Sequence, residues 1–290
     1  MSDFQHWWRQ IPALLDPVVF QLGPVRIQYY GLMYLVAFGL TYGLVSYRLK
    51  TEPRFQVSGQ QLQQLFTYLI IGLVLGARLG YVLFYNLNYY LIHPWQIFLP
   101  FTWANGFVFT GISGMSYHGG LMGTLGGAWL YLRRTRLSLL TMADLVVPAI
   151  PLGYTFGRLG NFINGELYGR PTSHPVGMIF PQAGDGLPRH PSQLYEAFFE
   201  GFVLFVLLWS LRRKIQTPGA MLALYLLGYG AVRFVIEYFR QPDDQLGFIW
   251  GPLTMGQILC ALMMIAGGAG LVFFRRLGEK NAAAGTARRS

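Results

Sequence analysis

Charged side chains are scarce in this chain. Asp, Glu, Lys and Arg make up 12% of its 290 residues, whereas a soluble domain carries about 25%. Hydrophobic residues make up 53%. So little charge excludes an ordinary soluble domain, and the sequence predicts a membrane protein that is surrounded by the lipid bilayer.

Cysteine is almost absent too. Cys260 stands alone in an apolar stretch, which excludes an intramolecular disulfide and a cysteine-based metal site and predicts a packing role. The 5 histidines lack the spacing of metal ligands. The chain also has no Gly-x-x-x-x-Gly-Lys-Ser/Thr phosphate loop, no His-Glu-x-x-His pair and no Gly-x-Ser-x-Gly turn. We therefore expect neither a metal nor a cofactor.

Two further absences narrow the class of protein. Residues 1–26 lack a basic start followed by an apolar core and a small-residue cleavage site, so we expect no cleaved signal peptide. The net charge of +10 is not gathered into one basic cluster with interleaved aromatic residues. We therefore do not expect a nucleic-acid partner.

Apolar stretches of membrane-spanning length recur along the chain. A span needs about 20 residues to cross a hydrocarbon core of about 30 Å. The candidates are residues 29–47, 65–85, 118–132, 144–161, 194–211, 219–238 and 253–274. The sequence thus predicts an all-α polytopic membrane protein with seven transmembrane helices. Residues 1–280 would form one transmembrane catalytic domain, followed by a disordered cytoplasmic tail at 281–290.

The positions of the basic residues predict an orientation. Most of the 22 Lys and Arg residues follow the first, third, fifth and seventh stretches. Because Lys and Arg accumulate on the cytoplasmic side of short loops, the N-terminus is expected outside and the C-terminus in the cytoplasm.

Two of the loops on the outer side have unusual compositions. Residues 86–117 contain no Lys, Arg, Asp or Glu but many aromatic residues, which predicts an interfacial or re-entrant segment covered by protein. Residues 165–192 are rich in Pro and Gly and predict a small extramembrane cap. Ser192 is expected to be the N-cap of the fifth span, with Glu196 in its first turns.

Three arginines lie inside predicted spans, where a charge is costly. Translocon-based scales place an Arg at the bilayer centre about 2.5–3.5 kcal/mol above water. Arg78, Arg158 and Arg233 should therefore face a bundle interior, a carboxylate or an anionic ligand. Arg78 has no partner within its own span. Arg158 lies in residues 157–170, a run that carries two amides, Asn161 among them, and is the first candidate for a functional site.

Arg233 shares a helical face with two other polar side chains. Tyr229 lies four residues before it and Glu237 four residues after it. One alternative is a buried ion pair that only fixes helix packing, for Arg233 with Glu237 and for Arg158 with Glu166. The other is a positive pocket, because two arginines beyond local neutralisation would suit a phosphate, which Arg binds through bidentate hydrogen bonds.

Two further side chains are candidates for catalysis. His118 stands at the entrance of the third span beside Gly119 and Gly120, and its ordinary pKa near 6.5 would suit a base at neutral pH. A single interfacial His also has a structural interpretation. Tyr30, at the outer end of the first span, has the alternative of belonging to an interfacial aromatic belt.

These residues leave more than one class of function open. Arginines that face the interior of a bundle mark substrate pathways as well as active sites, so a transporter or flippase for an anionic lipid or solute is the main alternative to an enzyme. A purely structural scaffold agrees poorly with the cost of three intramembrane arginines.

The chain resembles the prolipoprotein diacylglyceryl transferase family of bacterial inner membranes. The resemblance covers nearly the whole chain before the tail, in family order. The residues that carry it are 29–34, 115–120, 157–169, 189–196, 228–233 and 237–243.

The resemblance implies a reaction. The diacylglyceryl group of phosphatidylglycerol would move to the cysteine thiol in the lipobox of a prolipoprotein signal peptide, forming a thioether and releasing glycerol 1-phosphate. The nucleophilic cysteine would belong to the substrate. The enzyme would have to deprotonate a thiol, because the thiolate is the nucleophile, and to stabilise a departing phosphate. This would be the first step of lipoprotein maturation in the inner membrane.

Hypothetical roles follow from this reaction. Arg158 and Arg233 would hold the phosphate and stabilise the leaving group. His118 would assist thiol deprotonation, although a polarised water or the substrate's own phosphate could also accept the proton, and Tyr30 would position the lipid or the acceptor. The remaining substrate-binding candidates are Asn161 for the head group, Glu166 and Glu237 for orienting the arginines, Gly169 for close approach, and Tyr229 and His190.

Overall fold

The computed structural model describes residues 3–23, 25–99, 101–102, 108–109, 114–242, 248–251 and 253–287, and they are mostly helical. The helices are α1 Asp3–Leu14, α2 Tyr29–Thr51, α3 Gly59–Tyr85, α4 Leu87–Ile92, α5 Tyr117–Thr135, α6 Leu139–Val146, α7 Ile150–Ile163, α8 Ser192–Tyr195, α9 Leu204–Leu211, α10 Ala220–Ile236 and α11 Met255–Ala287. A π-helical segment, Glu196–Val203, joins α8 to α9.

The described strands form four antiparallel pairs. Their bounds are β1 Val18–Leu22 with β2 Val25–Gln28, β3 Phe101–Thr102 with β4 Val108–Phe109, β5 Met178–Ile179 with β6 Pro188–Arg189, and β7 Phe248–Trp250 with β8 Leu253–Thr254. Each pair is short, so the helices dominate the fold.

Every predicted span falls mainly on helical residues, although the seventh begins in strand β8 and the sixth extends past both ends of α10. Among the described residues, five helical segments are long and apolar enough to cross a membrane: Tyr29–Thr51, Gly59–Tyr85, Leu139–Ile163, Ser192–Leu211 and Met255–Glu279. The two other predicted spans lie on α5, which carries five glycines and two arginines, and on α10, a shorter apolar helix. An all-α membrane protein with several spans is therefore confirmed.

Exposed apolar side chains agree with this class. The long helices present large hydrophobic residues outward, for example Leu35 on α2, Phe84 on α3 and Ile265 on α11, and Phe84 is 82% exposed. Soluble monomers rarely expose large contiguous apolar surfaces. These faces are suited to lipid.

Three local predictions need correction. The fourth predicted span is longer than expected, because a 3-10 turn at Val147–Ala149 links α6 to α7. Ser192 is not an N-cap: it is the first residue of α8, and its hydroxyl donates to the carbonyl oxygen of Leu167 at 3.0 Å. Helix α11 extends to Ala287, so residues 281–287 are helical rather than a disordered tail.

The chain divides into two compact units. The first unit consists of Met1–Arg48 and Leu140–Ser290, and the second of Leu49–Leu139. The first unit contains α6 to α11 and most of α2. The second contains α3, α4 and α5.

In the second unit, α3 and α5 approach each other through glycines. A Cβ on Gly72 would collide with the carbonyl oxygen of Gly123, and a Cβ on Gly76 with that of Gly119. Small residues spaced four apart permit such close backbone contact between membrane helices. The pairing fixes α5 along α3.

In the first unit, Arg48 and Asp144 fix the start of α10. Arg48 is fully buried and donates to the carbonyl oxygens of Asp144 at 2.6 Å and Leu145 at 2.5 Å. Because Pro148 has no N–H, the Asp144 carbonyl lacks its usual intrahelical partner. The Asp144 carboxylate accepts the N–H groups of Gly219 at 2.7 Å and Leu222 at 2.9 Å. It thereby caps the helix that carries Arg233.

Two close contacts hold the remaining helices of this unit together. A Cβ on Gly201 would collide with Thr155 Oγ1, so the π-helical segment lies directly against α7. A Cβ on Gly230 of α10 would lie 2.9 Å from the carbonyl oxygen of Cys260 on α11. Cys260 is buried there, as its predicted packing role requires.

Residues 165–192 fold onto the N-terminal helix. Met178 and Phe180 are buried with Phe162 in one apolar cluster, and Trp8 of α1 packs against it. The indole N–H of Trp8 donates to the carbonyl oxygen of Val176 at 3.0 Å. The segment is therefore an ordered, packed structure.

Candidate active site

Glu196 joins three helical elements of the first unit. It is fully buried at the start of the π-helical segment. Its Oε2 lies 2.7 Å from Arg158 Nε of α7 and 3.0 Å from Arg233 Nη1 of α10. The two arginines of the sequence prediction are thus brought together by one carboxylate.

A second buried carboxylate lies one turn further along. Glu200 Oε1 is 3.4 Å from Arg233 Nη1. The Tyr154 hydroxyl donates to Glu200 Oε2 at 2.6 Å and lies 3.2 Å from Glu196 Oε2. The ring of Tyr154 also lies beneath the guanidinium of Arg158, 4.8 Å from its central carbon, so it contacts both carboxylates and a cation.

Glu237 completes this group, as the spacing predicted. Its Oε2 lies 3.0 Å from Arg233 Nη2, and its Oε1 accepts the Thr254 hydroxyl at 3.1 Å. Tyr229, on the same face of α10, meets Tyr154 edge to face at 6.0 Å between ring centroids. We call the residues Arg158, Glu196, Glu200, Arg233 and Glu237 the Arg–Glu cluster.

The amide of Asn161 extends the Arg–Glu cluster. Asn161 Oδ1 accepts from Arg158 Nη1 at 3.4 Å, and its Nδ2 donates to Glu166 Oε1 at 2.8 Å. The suggested ion pair between Arg158 and Glu166 is therefore wrong. Arg158 pairs with Glu196, and Glu166 acts on Arg158 only through Asn161.

The expected positive pocket also needs correction. Three buried carboxylates, Glu196, Glu200 and Glu237, face the two guanidinium groups. The arginines are neutralised and held in place rather than left in excess. Buried charges need such partners because removal from water costs several kcal/mol per ion.

Glu200 is the functional candidate that sequence reasoning missed, and Glu196 was assigned only a place in the first turns of a helix. A signal was present. The two carboxylates lie four residues apart inside an apolar stretch, where a carboxylate is about as costly as an arginine. Residues four apart share a helical face. Their joint presence could have predicted partners for Arg158 and Arg233.

Tyr30 lies beside the Asn161 end of the Arg–Glu cluster. Its hydroxyl is 3.0 Å from that of Tyr34 and interacts with the side chain of Asn161. A Cβ on Gly160 would lie 3.3 Å from the Tyr30 ring. The structure of the first unit thus brings Tyr30, Asn161 and Arg158 together.

Gly169 permits close approach of protein rather than open space for a ligand. Its N–H donates to the carbonyl oxygen of His190 at 2.8 Å. A Cβ there would collide with the carbonyl oxygen of Phe239 and lie 2.6 Å from that of His190. The glycine is required where three chain segments meet next to the Arg–Glu cluster.

His190 stands at this junction, half-buried. Its Nδ1 lies 3.1 Å from the Tyr195 hydroxyl. Burial, and secondarily the charge of His174, lower the pKa of His190. The lowered pKa favours the neutral imidazole of His190. Nearby, a hydrogen bond from Arg189 lowers the pKa of the Asp185 carboxyl.

His118 and Arg78 belong to the second unit. His118 is exposed in the first turn of α5, which Ser116 caps by accepting the N–H of Gly119 at 3.2 Å. Arg78 of α3 bonds to backbone carbonyls of residues 86–117. Its partners thus come from another part of the chain, as the absence of one within its own span required.

Together, the apolar helices and the buried Arg–Glu cluster are typical of an integral membrane protein with a functional site among its helices. The family model for prolipoprotein diacylglyceryl transferase matches residues 17–273. The chain belongs to this family.

Several named relatives are similar over nearly their whole length. The chain is 48% identical to the phosphatidylglycerol–prolipoprotein diacylglyceryl transferase of Chlorobaculum tepidum, over 97% of each chain. It is 48% identical to that of Bordetella parapertussis over 90% of this chain and 95% of the relative. It is 46% identical to that of Coxiella burnetii over 92% and 98%.

Proposed function

We propose that the protein transfers the diacylglyceryl group of phosphatidylglycerol to the lipobox cysteine of a prolipoprotein and releases glycerol 1-phosphate. The observation that carries this proposal is the buried Arg158–Glu196–Arg233 contact in a chain of this family. The thiolate attacks the carbon of the diacylglyceryl group that is bonded to the phosphate ester oxygen. The bond between this carbon and that oxygen breaks, and its electron pair leaves with the glycerol phosphate.

Arg158 and Arg233 bind the phosphate and stabilise the leaving group. A guanidinium has five N–H donors, and the carboxylate contacts described above engage only part of them. The carboxylates keep both guanidiniums fixed before the lipid arrives, and donors that need no reorganisation stabilise developing charge best. Glu237 orients Arg233, and Glu166 orients Arg158 through Asn161.

The lipid head group binds at the Asn161 end of the Arg–Glu cluster. Asn161 and Tyr30 offer hydrogen bonds to it, and Tyr229 supports the site through its ring contact with Tyr154. Gly169 and His190 act by shaping the chain junction beside this end. Two side chains that contact Arg158, those of Glu196 and Asn161, are buried, and this burial supports a head-group site at this end of the Arg–Glu cluster.

His118 assists deprotonation of the substrate thiol. The proton leaves sulfur for the imidazole, and the thioether forms from the resulting thiolate. A water polarised by an arginine or the departing phosphate is the alternative acceptor. Turnover of a His118→Asn variant distinguishes them, because an amide cannot accept the proton: a large loss of kcat supports the imidazole, and near-parent turnover supports the water or the phosphate.

The topology follows from the basic loops. Seven spans cross the bacterial inner membrane, with a periplasmic N-terminus and a cytoplasmic C-terminus. The described parts of residues 86–117 lie at the outer interface, whereas residues 100, 103–107 and 110–113 of this segment are outside the described residues. Residues 165–192 form a periplasmic cap, and residues 1–280 act as one catalytic domain. The apolar faces of the long helices support placement in a bilayer.

Purified protein in detergent tests the reaction. With phosphatidylglycerol and a lipobox peptide, mass spectrometry should detect diacylglyceryl addition at cysteine and an equal amount of glycerol phosphate. A peptide with Ser for Cys is the control and should remain unmodified. Folded protein that forms no product from both substrates would contradict the transferase and favour transport of an anionic lipid or solute.

A further inference from the structure

Arg78 of α3 forms hydrogen bonds with separate parts of residues 86–117, the segment that has no charged side chain. Its side chain is buried, with 5% exposed. Nε donates to the carbonyl oxygen of Ile97 at 2.5 Å, Nη2 to that of Gln96 at 2.6 Å and Nη1 to that of Gly114 at 3.2 Å. All three guanidinium nitrogens therefore donate hydrogen bonds to backbone carbonyl oxygens.

The same guanidinium contacts an aromatic ring of this segment. Its central carbon lies 5.0 Å from the ring centroid of Tyr90 on α4. The segment contains no Asp or Glu, so it offers a cation only uncharged acceptors, and those that Arg78 contacts are backbone carbonyls and an aromatic face. One buried side chain thus connects α4, the 3-10 turn Pro94–Ile97 and the residue that leads into α5.

The contact at Gly114 lies four residues before His118. Between them, the N–H of Ser116 donates to the carbonyl oxygen of Ala77 at 2.8 Å, next to Arg78 in α3. The Ser116 hydroxyl then caps α5. Gly119 packs against the backbone of α3. The backbone on both sides of His118 is therefore fixed by α3.

We propose that Arg78 is a positioning residue that holds His118 in its productive orientation through Gly114 and the start of α5. This inference rests on the proposed role of His118 in thiol deprotonation. Arg78 itself contacts no substrate in this scheme. Loss of its three hydrogen bonds would release the backbone before α5, and a displacement of about 1 Å can cost about 100-fold in rate.

A double-mutant cycle tests the inference. The variants are Arg78→Gln, His118→Asn and the combination, assayed as purified full-length proteins with phosphatidylglycerol and lipobox peptide. We expect Arg78→Gln to lower kcat about 100-fold with little change in KM for phosphatidylglycerol. The combined variant should be no slower than His118→Asn alone, because two residues that act through one group are not additive. Arg78→Lys should retain more activity, because an ammonium still bonds to carbonyls.

Arg48→Gln is the matched control, because Arg48 is also a buried arginine that donates to two backbone carbonyls, but in the first unit. Its effect should multiply with that of His118→Asn. Melting curves identify variants that do not fold, in which case Arg78→Lys carries the cycle. If the losses in kcat of Arg78→Gln and His118→Asn multiply in the combined variant, the inference about Arg78 is overturned, whereas the proposed role of His118 is not. Full activity of His118→Asn would overturn both the inference and the proposed role of His118, whereas product formation by the parent protein tests the transferase independently.

Discussion

Two buried arginines, Arg233 in the first unit and Arg78 in the second, are held by different chemical groups. In the first unit, Arg233 lies 3.0 to 3.4 Å from three carboxylates. In the second unit, Arg78 donates from each of its nitrogens to a backbone carbonyl. A carboxylate neutralises the cation, whereas a carbonyl contributes only a dipole and in return has its own hydrogen bond satisfied.

This difference separates two uses of a costly side chain. The carboxylates of the Arg–Glu cluster neutralise Arg158 and Arg233 and fix their guanidinium groups, so a phosphate would bind through the N–H donors that the carboxylates leave unused. The carbonyl-bound arginines, Arg78 and Arg48, each donate to backbone carbonyl oxygens of another segment within their own unit. The chemical group that a buried arginine contacts is therefore a better guide to the function of that arginine than its burial is.

The largest expected effect comes from Arg233→Ala. It removes a phosphate donor, and loss of one such donor costs about 10²–10³-fold in kcat. It also leaves buried carboxylates without their cation, which destabilises a protein by about 3–5 kcal/mol. Transferase assays and melting curves measure both effects. Arg275→Ala, which breaks an ion pair whose arginine is 83% exposed, is the control. Near-normal turnover of folded Arg233→Ala would end the phosphate-binding model.

A smaller effect separates the two carboxylates that sequence reasoning undervalued. Glu196→Gln weakens contacts with both Arg158 and Arg233, whereas Glu200→Gln alters one contact at 3.4 Å. We expect kcat to fall about 100-fold for Glu196→Gln, from misplaced donors, and less for Glu200→Gln. Steady-state kinetics on the purified variants gives both values. The reverse order would place the main support of the arginines at Glu200.

Arg48→Met should reduce stability without changing substrate affinity. It leaves the carbonyl oxygens of Asp144 and Leu145 without this donor, and a buried group that loses its partner costs about 1–3 kcal/mol. Chemical denaturation in detergent measures the loss, and KM for phosphatidylglycerol should stay at the parent value. A raised KM with unchanged stability would show that carbonyl-bound arginines also serve the ligand.

The smallest expected effect concerns His190 and pH. Because burial lowers the pKa of His190, the unfolded chain binds a proton near the ordinary value of 6.5 that the folded protein does not bind. Stability should therefore fall as pH drops through about 6.5. His190→Gln should remove part of this decrease, measured as the melting temperature at pH 7.5 and pH 5.5. His6→Gln, at an exposed position of α1, is the control and should retain it.

The sequence predicted features that depend on neighbours along the chain. Apolar runs located the five helical segments that are long and apolar enough to cross a membrane. The four-residue spacing of Arg233 and Glu237 predicted their ion pair, now seen at 3.0 Å. The cost of intramembrane charge identified Arg158 and Arg78 as residues that need partners. These inferences use helical periodicity and transfer free energy, which a single sequence contains.

Features that depend on packing between distant segments were missed. Nothing local connects Arg158 to Glu196, and the Glu166 alternative was chosen because it is near in sequence. The π-helical segment has no sequence signature of its own, although such segments occur often at functional sites. The sequence predicted that Gly169 permits close approach, but not that His190 and Phe239 are the residues that approach it, because both are far along the chain.

The cap that Asp144 provides to α10 has a consequence for biosynthesis. Its acceptor precedes the first donor, Gly219, by 75 residues. At about 5–20 residues per second, the carboxylate emerges from the ribosome about 4–15 s before the helix that it caps. The acceptor that caps α10 is therefore synthesised before its donors, and α6 and α7 have been made by the time the N–H groups of Gly219 and Leu222 can bind to it.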